Sequence, residues 1–294
     1  YNEPQDNSLS QLLTTFWDSW SELATNSDSI SNRKAVVASA EQLIAGFQQL
    51  SKSMSELRDA VDRDVTSMVS DINEMTAEIG RLNQAIARAE VGGTHANDLR
   101  DARDLVTQEL AELVDVRTVD KPNGGTMVLM GSMTLVDGSV DFPIDYQTIN
   151  TGGVRTSKIV WKGTNFELTN LSGKLAGLTE SRDELIPQNI TQIDELARAV
   201  VEQVNALHLT GYGMNGTTNV AFFNPNFTTA ATMRLSTDVA LDASKVAAAS
   251  SATGDNNVAL AMSELRHARV MSNNSSTISD FYDSVVSSAG LLAK

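Results

Sequence analysis

The chain has 294 residues, 41% of them hydrophobic and only five of them proline, which is enough length and apolar content for one or two domains with real cores. Its 37 Asp and Glu against 22 Lys and Arg leave a formal charge of −15, which repels phosphate backbones and anionic lipid and argues against nucleic acid or a membrane surface as ligand. The absence of cysteine excludes disulfides, thiolate zinc sites and thiol catalysis, and no apolar run approaches the roughly 18 residues that span a bilayer.

The first ten residues, YNEPQDNSLS, carry neither the basic start nor the hydrophobic core of a cleaved signal peptide, and the absence of an initial Met suggests a piece of a longer protein. From Leu9 the apolar residues Leu9, Leu12, Phe16, Trp20 and Leu23 step by three and four, predicting a short amphipathic helix that ends near TNSDSISN. A longer stripe follows. Leu43, Phe47, Leu50, Met54, Leu57, Val61, Val65, Met68, Ile72, Met75, Ile79, Leu82 and Ile86 repeat the rhythm, with Met54 to Ile79 as the expected rod core. At about 1.5 Å per residue this predicts a helix of roughly 65 Å. Leu57, Val61 and Val65, spaced four and four, form a stutter in it. Such a helix needs packing partners along its length, because an isolated helix gains little stability in water.

After the turn VGGTH, Leu99, Ala102, Val106, Leu110 and Leu113 mark a further helix. From 114 to 172 the texture becomes β-branched and turn-rich, with Asn123-Gly124 and Asp137-Gly138 as hairpin dipeptides. Beyond Pro187 the helical period returns at Ile190, Ile193, Ala197, Val200, Val204 and Leu207. A Gly, Asn and Thr-rich section, 211–254, reads as loops with short strands, and helical patterns resume from Leu260 to Met271 and at Ile278, Phe281 and Val285. The fold class expected is α+β, a long-helix bundle with an inserted small β-rich domain. Residues 1–113, 173–210 and 255–294 form the helical rod, 114–172 the insertion and 211–254 a loop section.

Asp98, Asp101 and Asp104 invite a metal reading. Residues three apart on a helix rotate by about 60°, so Asp98 and Asp104 diverge by roughly 120°, and Arg100 and Arg103 compete for their oxygens. A structural role fits better, with Asn97 or Asp98 capping the helix and Leu99, Ala102 and Val106 facing a core. His95, His208 and His267 lie in separate segments without a metal-ligand spacing and read as helix-end or surface residues. GYGMNG, from Gly211, follows a helix and lacks the lysine of a phosphate loop, so it reads as a helix stop. The triplet Asn189-Ile190-Thr191 is common by chance. Trp17, Trp20 and Trp161 suit core packing better than a sugar platform. No catalytic residue, cofactor or metal is expected.

One pattern occurs twice. LRDARDLV, with Leu99, Arg103 and Asp104, and LTESRDEL, with Leu178, Arg182 and Asp183, share Leu-x-x-x-Arg-Asp on either side of the β-rich insertion. A guanidinium bridges several acceptors at once, so Arg103 and Arg182 are expected to tie helix starts to neighbouring elements through carboxylates or backbone carbonyls.

Three stretches carry a resemblance: YNEPQDNSLS leading into FWDSWSELATNSDSISNRKAVVASAEQL, INEMTAEIGRLNQAI followed by NDLRDARDLVTQELAELV, and GKLAGLTESRDELIPQNITQIDELARAVVEQVNALHLTGYG. Together they cover most of residues 1–213, and in them the chain resembles the flagellar hook-associated protein 1 family of bacterial hook–filament junction proteins. The resemblance implies a structural component of the bacterial flagellum with no enzymatic role. Such proteins are exported without a cleaved signal peptide through the flagellar type III channel to the extracellular axial structure. Implied partners are the hook protein, a second hook–filament junction protein, copies of itself in a ring, and a cytoplasmic export chaperone that binds a C-terminal segment missing here. The inner-tube segments at both ends are also missing, so this fragment is expected to be a monomer, and the Arg-Asp motifs become structural signatures of the rod. Rival readings are another axial protein (flagellin-like or the second junction protein), an outward-facing adhesin, and a carboxylate-metal hydrolase built on the three aspartates.

Overall fold

A computed structural model describes residues 8–93, 95–151, 154–251 and 254–292. The chain divides into two compact units, one made of residues 1–56 with 186–294 and the other of residues 57–185. The division cuts across the 1–113 segment read from sequence, because the long helix α2 (Ile30–Ala89) supplies residues to two separate hydrophobic cores.

In the first unit, α1 (Leu9–Thr25) starts at Ser8, whose hydroxyl accepts from the Gln11 N–H at 3.2 Å. Its apolar face buries Leu13, Phe16, Trp17, Trp20 and Leu23 in a core to which the start of α2 also contributes. That helix begins at Ile30 rather than near Leu43, because buried Val36 and Ala40 carry the stripe backwards at the same spacing. The core is completed by α5 (Ile186–His208), α7 (Asn257–Glu264) and α8 (Ile278–Leu292). Between α5 and α7 the expected strands are replaced. Among the described residues of 211–254 there are isolated bridges, such as Phe223 with Leu235, and the short helix α6 (Thr237–Leu241). This section does not merely separate helices: Phe222, Phe223, Met233 and Val246 are fully buried in the core.

In the second unit, the later part of α2 packs with α3 (Asn97–Leu113) and α4 (Gly173–Glu180) against two antiparallel sheets. One has four strands in chain order, β1 (Val116–Asp120), β2 (Thr126–Met130), β3 (Met133–Asp137) and β4 (Val140–Asp141). The other is a hairpin of β5 (Ile144–Thr151) and β6 (Val154–Trp161). Alternation on β2 sends Thr126, Val128 and Met130 inward. Gly124 and Gly138 adopt φ of 78° and 61° in the two turns, which only glycine takes without strain. At the root of the insertion the chain ends meet, the Asp115 N–H donating to the Ser172 hydroxyl at 3.1 Å. The turn after β3 comes so close to α2 that a Cβ on Gly80 would sit 3.3 Å from the Ser139 carbonyl.

Three expectations are corrected. Leu57 is 47% exposed and Val61 only half-buried, although the stripe placed both in the rod core. From Met54 to Val65 is eleven residues, so the helix turns by a net of only about 20° between them, and the exposure comes from the gap between the two cores rather than from rotation of the stripe. No residue from 55 to 64 is buried: Met54 closes one core and Val65 opens the other. The start of α3 is not capped by Asn97 or Asp98. Its N-cap is Ala96, whose N–H donates to the Glu90 carboxylate at 3.0 Å, and Glu90 is in turn gripped by Arg100 at 2.8 and 2.7 Å. Ala102 is exposed, and the buried place on that face belongs to Arg103.

Candidate functional site

The polar groups buried in the second unit gather around the two Arg-Asp motifs. Arg103 projects from α3 and is 4% exposed. Its Nη1 donates to the carbonyl of Gly124 in the β1–β2 turn at 2.9 Å and to Asn83 Oδ1 on α2 at 3.3 Å. The Asp104 carboxylate accepts from the same guanidinium at 3.4 Å. Asn83 is saturated too: its amide donates to the Thr126 and Gly138 carbonyls at 2.8 and 2.7 Å, and its oxygen accepts from the Thr126 N–H at 2.9 Å. A mid-helix asparagine therefore closes both ends of β2's first residue as a neighbouring strand would.

Arg182 repeats the arrangement on the other sheet. It lies in a π-helical turn, Ser181–Leu185, that joins α4 to the following helix, and it is 3% exposed. Asp183 accepts from it through both oxygens at 2.9 and 2.6 Å, the paired geometry that favours arginine over lysine. Its Nη2 reaches the Ser157 carbonyl on β6 at 3.1 Å, and its Nη1 donates to the Tyr146 hydroxyl on β5 at 2.9 Å. That hydroxyl donates to Asp62 on α2, which also lies 3.5 Å from Nη1. Burial first, and then the bond to Asp62, raises the Tyr146 pKa above the usual phenol value. Asn73 completes the attachment, exchanging both amide bonds with the backbone of Ile144 at 2.8 and 2.9 Å.

Leu99 and Leu178, the first residues of the two motifs, are half-buried, and Leu178 packs on the second core. Of the expected rod-core residues, Met54 belongs to the first core, while Val65, Met68, Ile72 and Ile79 belong to the second, with half-buried Met75 packed on it. The three aspartates of the opening helix are all exposed and do not converge, and no group of three His, Asp or Glu among the described residues is arranged to hold a metal ion. The cleft beside Arg182, lined by Arg58, Asp59, Asp62 and Ser157, has a volume of about 40 Å³, room for little more than water. This arrangement fastens sheets to helices.

Sequence reasoning missed Asn73, Asn83 and Tyr146. The asparagines left a trace, since each stands beside the apolar stripe of a long helix, where its poor helix propensity calls for a compensating contact. It also missed His208, which ends α5 as expected but is fully buried. Its Nδ1–H donates to the Val220 carbonyl at 2.7 Å and its Nε2 accepts from the Ala247 N–H at 2.9 Å, with Trp20 and Phe222 packed on the ring. Burial pushes its pKa down to about 4.

The family model described as the flagellar hook-associated protein FlgK helical domain matches residues 1–223. The chain belongs to this family. It is 26% identical over 229 residues to flagellar hook-associated protein 1 of Salmonella typhimurium, covering 75% of this chain and 41% of that protein. To the protein of the same name from Bacillus subtilis it is 23% identical over 251 residues, covering 76% and 49%. The solved structure of the flagellar hook junction protein FlgK from Burkholderia pseudomallei superposes with a TM-score of 0.65 at 26% identity, over 74% of this chain and 40% of that one. The chain thus spans between about two fifths and half of the length of the curated relatives it matches. The matched region contains both Arg-Asp motifs, so the fastening of the two sheets lies within the family's helical domain.

Proposed function

We propose that this chain is a structural part of the bacterial flagellum, acting at the junction between hook and filament and performing no catalysis. The observation that carries the reading is the family match over residues 1–223, with relatives named as hook-associated and hook junction proteins. The geometry supports it: both buried arginines of the second unit are spent on backbone carbonyls and adjacent carboxylates. Among the described residues no helix is long and apolar enough to cross a membrane. In this reading the protein works outside the cell, next to the hook protein and a second junction protein, in a ring of its own copies, after export aided by a chaperone. Electron cryomicroscopy of a native hook–filament junction tests it, with the two units fitted separately. Density at the junction that accommodates neither unit overturns the reading. At a charge of −15 the 294-residue chain alone is expected to sediment as a monomer at low salt, where like charges repel over about 10–30 Å.

A further inference from the structure

A buried cation in the first unit has no ion-pair partner among the described residues. Arg33, in the first turn of α2, is 3% exposed. Its Nε donates to the Val246 carbonyl at 3.0 Å and its Nη1 to the Ser27 carbonyl, and these are its hydrogen bonds among the described residues. Among the described residues nothing accepts from Nη2 or the second Nη1 proton, and no carboxylate stands within ion-pair distance. Burial lowers the pKa of this guanidinium, opposed only by the field of Asp28. A buried charge in that state is costly unless something else meets it.

Arg33 lines a cleft of about 220 Å³ that opens at the N-terminal end of α2, where the helix dipole is positive. Tyr212 lines it too, half-buried, with a hydroxyl that has no hydrogen bond among the described residues. The nearby Asp255 does not serve as the missing counter-ion. Its oxygens already accept from the N–H groups of Ser250 and Asn257 at 2.8 and 2.9 Å and from the hydroxyls of Ser250 and Ser251 at 2.9 and 3.0 Å. Those bonds, the Ser250 N–H first, hold its pKa at about 2, so it stays ionised and adds negative charge to the wall. Asp28 adds more at the rim.

We propose that this cleft binds a singly charged carboxylate, received by the free N–H groups of Arg33 and the hydroxyl of Tyr212. A guanidinium edge matches the two oxygens of a carboxylate. A phosphate dianion brings a second negative charge against Asp28 and Asp255, and the cleft discriminates against it. The proposal does not depend on the flagellar assignment.

The test is an NMR titration of the Arg33 side-chain nitrogens in the whole chain at fixed ionic strength. The probes are N-acetylglycine, its neutral amide N-acetylglycinamide, and inorganic phosphate. A saturable shift is expected with N-acetylglycine, with a Kd on the order of 1 mM, at least about tenfold weaker with phosphate and absent with the amide. Arg33→Gln removes the response, but it also gives up two backbone contacts and destabilises the fold. Tyr212→Phe keeps every contact in the fold and is expected to weaken binding about fivefold with an unchanged melting temperature. A short peptide with a free C-terminal carboxylate separates the sources. Tighter binding than N-acetylglycine assigns another protein chain as the ligand, and equal binding assigns a small solute. No saturable response to N-acetylglycine, an equal response to the amide or to phosphate, or unchanged affinity in Tyr212→Phe overturns the proposal.

Discussion

His208 is neutral in the fold because one ring nitrogen must donate to Val220 while the other accepts from Ala247, and protonation destroys the second bond inside an aromatic cage. The unfolded chain takes up a proton near pH 6.5 and the folded chain only near pH 4, so between those values the unfolded state binds more protons. Stability therefore falls as pH drops through that window, by an amount on the order of 3 kcal/mol for this group. Denaturant melts from pH 7 to pH 4 check it: His208→Gln, which does not titrate, is expected to flatten the slope while lowering stability at pH 7. Arg182 offers a second measurement. Its removal takes the guanidinium away from Asp183, the Tyr146 hydroxyl and the buried Ser157 carbonyl, so Arg182→Ala should cost roughly 2–4 kcal/mol in denaturant unfolding, and Arg182→Lys, which keeps the charge but loses the fork, about half that. The contrast between these sites shows what a sequence reveals at this scale. Arg182 drew attention because its motif is repeated. His208 did not, since its partners stand 12 and 39 residues away and nothing local marks the burial.

Secondary structure was legible wherever period and turn chemistry agreed. The Asn-Gly and Asp-Gly dipeptides marked the turns after β1 and β3, and the three-four rhythm found α1, α2, α3 and α5. It failed where burial depends on a neighbour that the pattern cannot name. In 211–254 the glycines and asparagines concealed a core segment, because Phe223 docks through a side-chain amide rather than a regular strand: Asn205 on α5 exchanges bonds with the Phe223 backbone at 3.0 and 2.9 Å. Within α2 the stutter coincides with the gap between the two cores, but nothing in the pattern showed that the gap exposes Leu57. A paired substitution separates the two environments. Ile72→Asp places a charge in a core without a counter-ion and is expected to lower unfolding free energy by roughly 3–5 kcal/mol, whereas Leu57→Asp should change it by about 1 kcal/mol or less. Equal losses at the two positions would show that the seam at residue 57 is packed after all.

At the scale of the whole molecule, one helix belongs to two cores that share no residue. Between Met54 and Val65 no residue of it is buried, and Asp62, held by Tyr146 and Arg182, ties this stretch to the second unit. Opening a helix in its interior creates two new ends, each with unsatisfied carbonyls and N–H groups, so even this unburied stretch resists melting while both flanks hold. Solvent deuterium reads the consequence directly. Amides of residues 55–60 are expected to exchange faster than those of 65–79, whose release requires opening of the second core. The slow amides on either side then act as two clocks. Separate rates under mild denaturant would mean that each core keeps its own time, and one rate along the entire helix would mean that the backbone, crossing from one core to the other, makes them fail together.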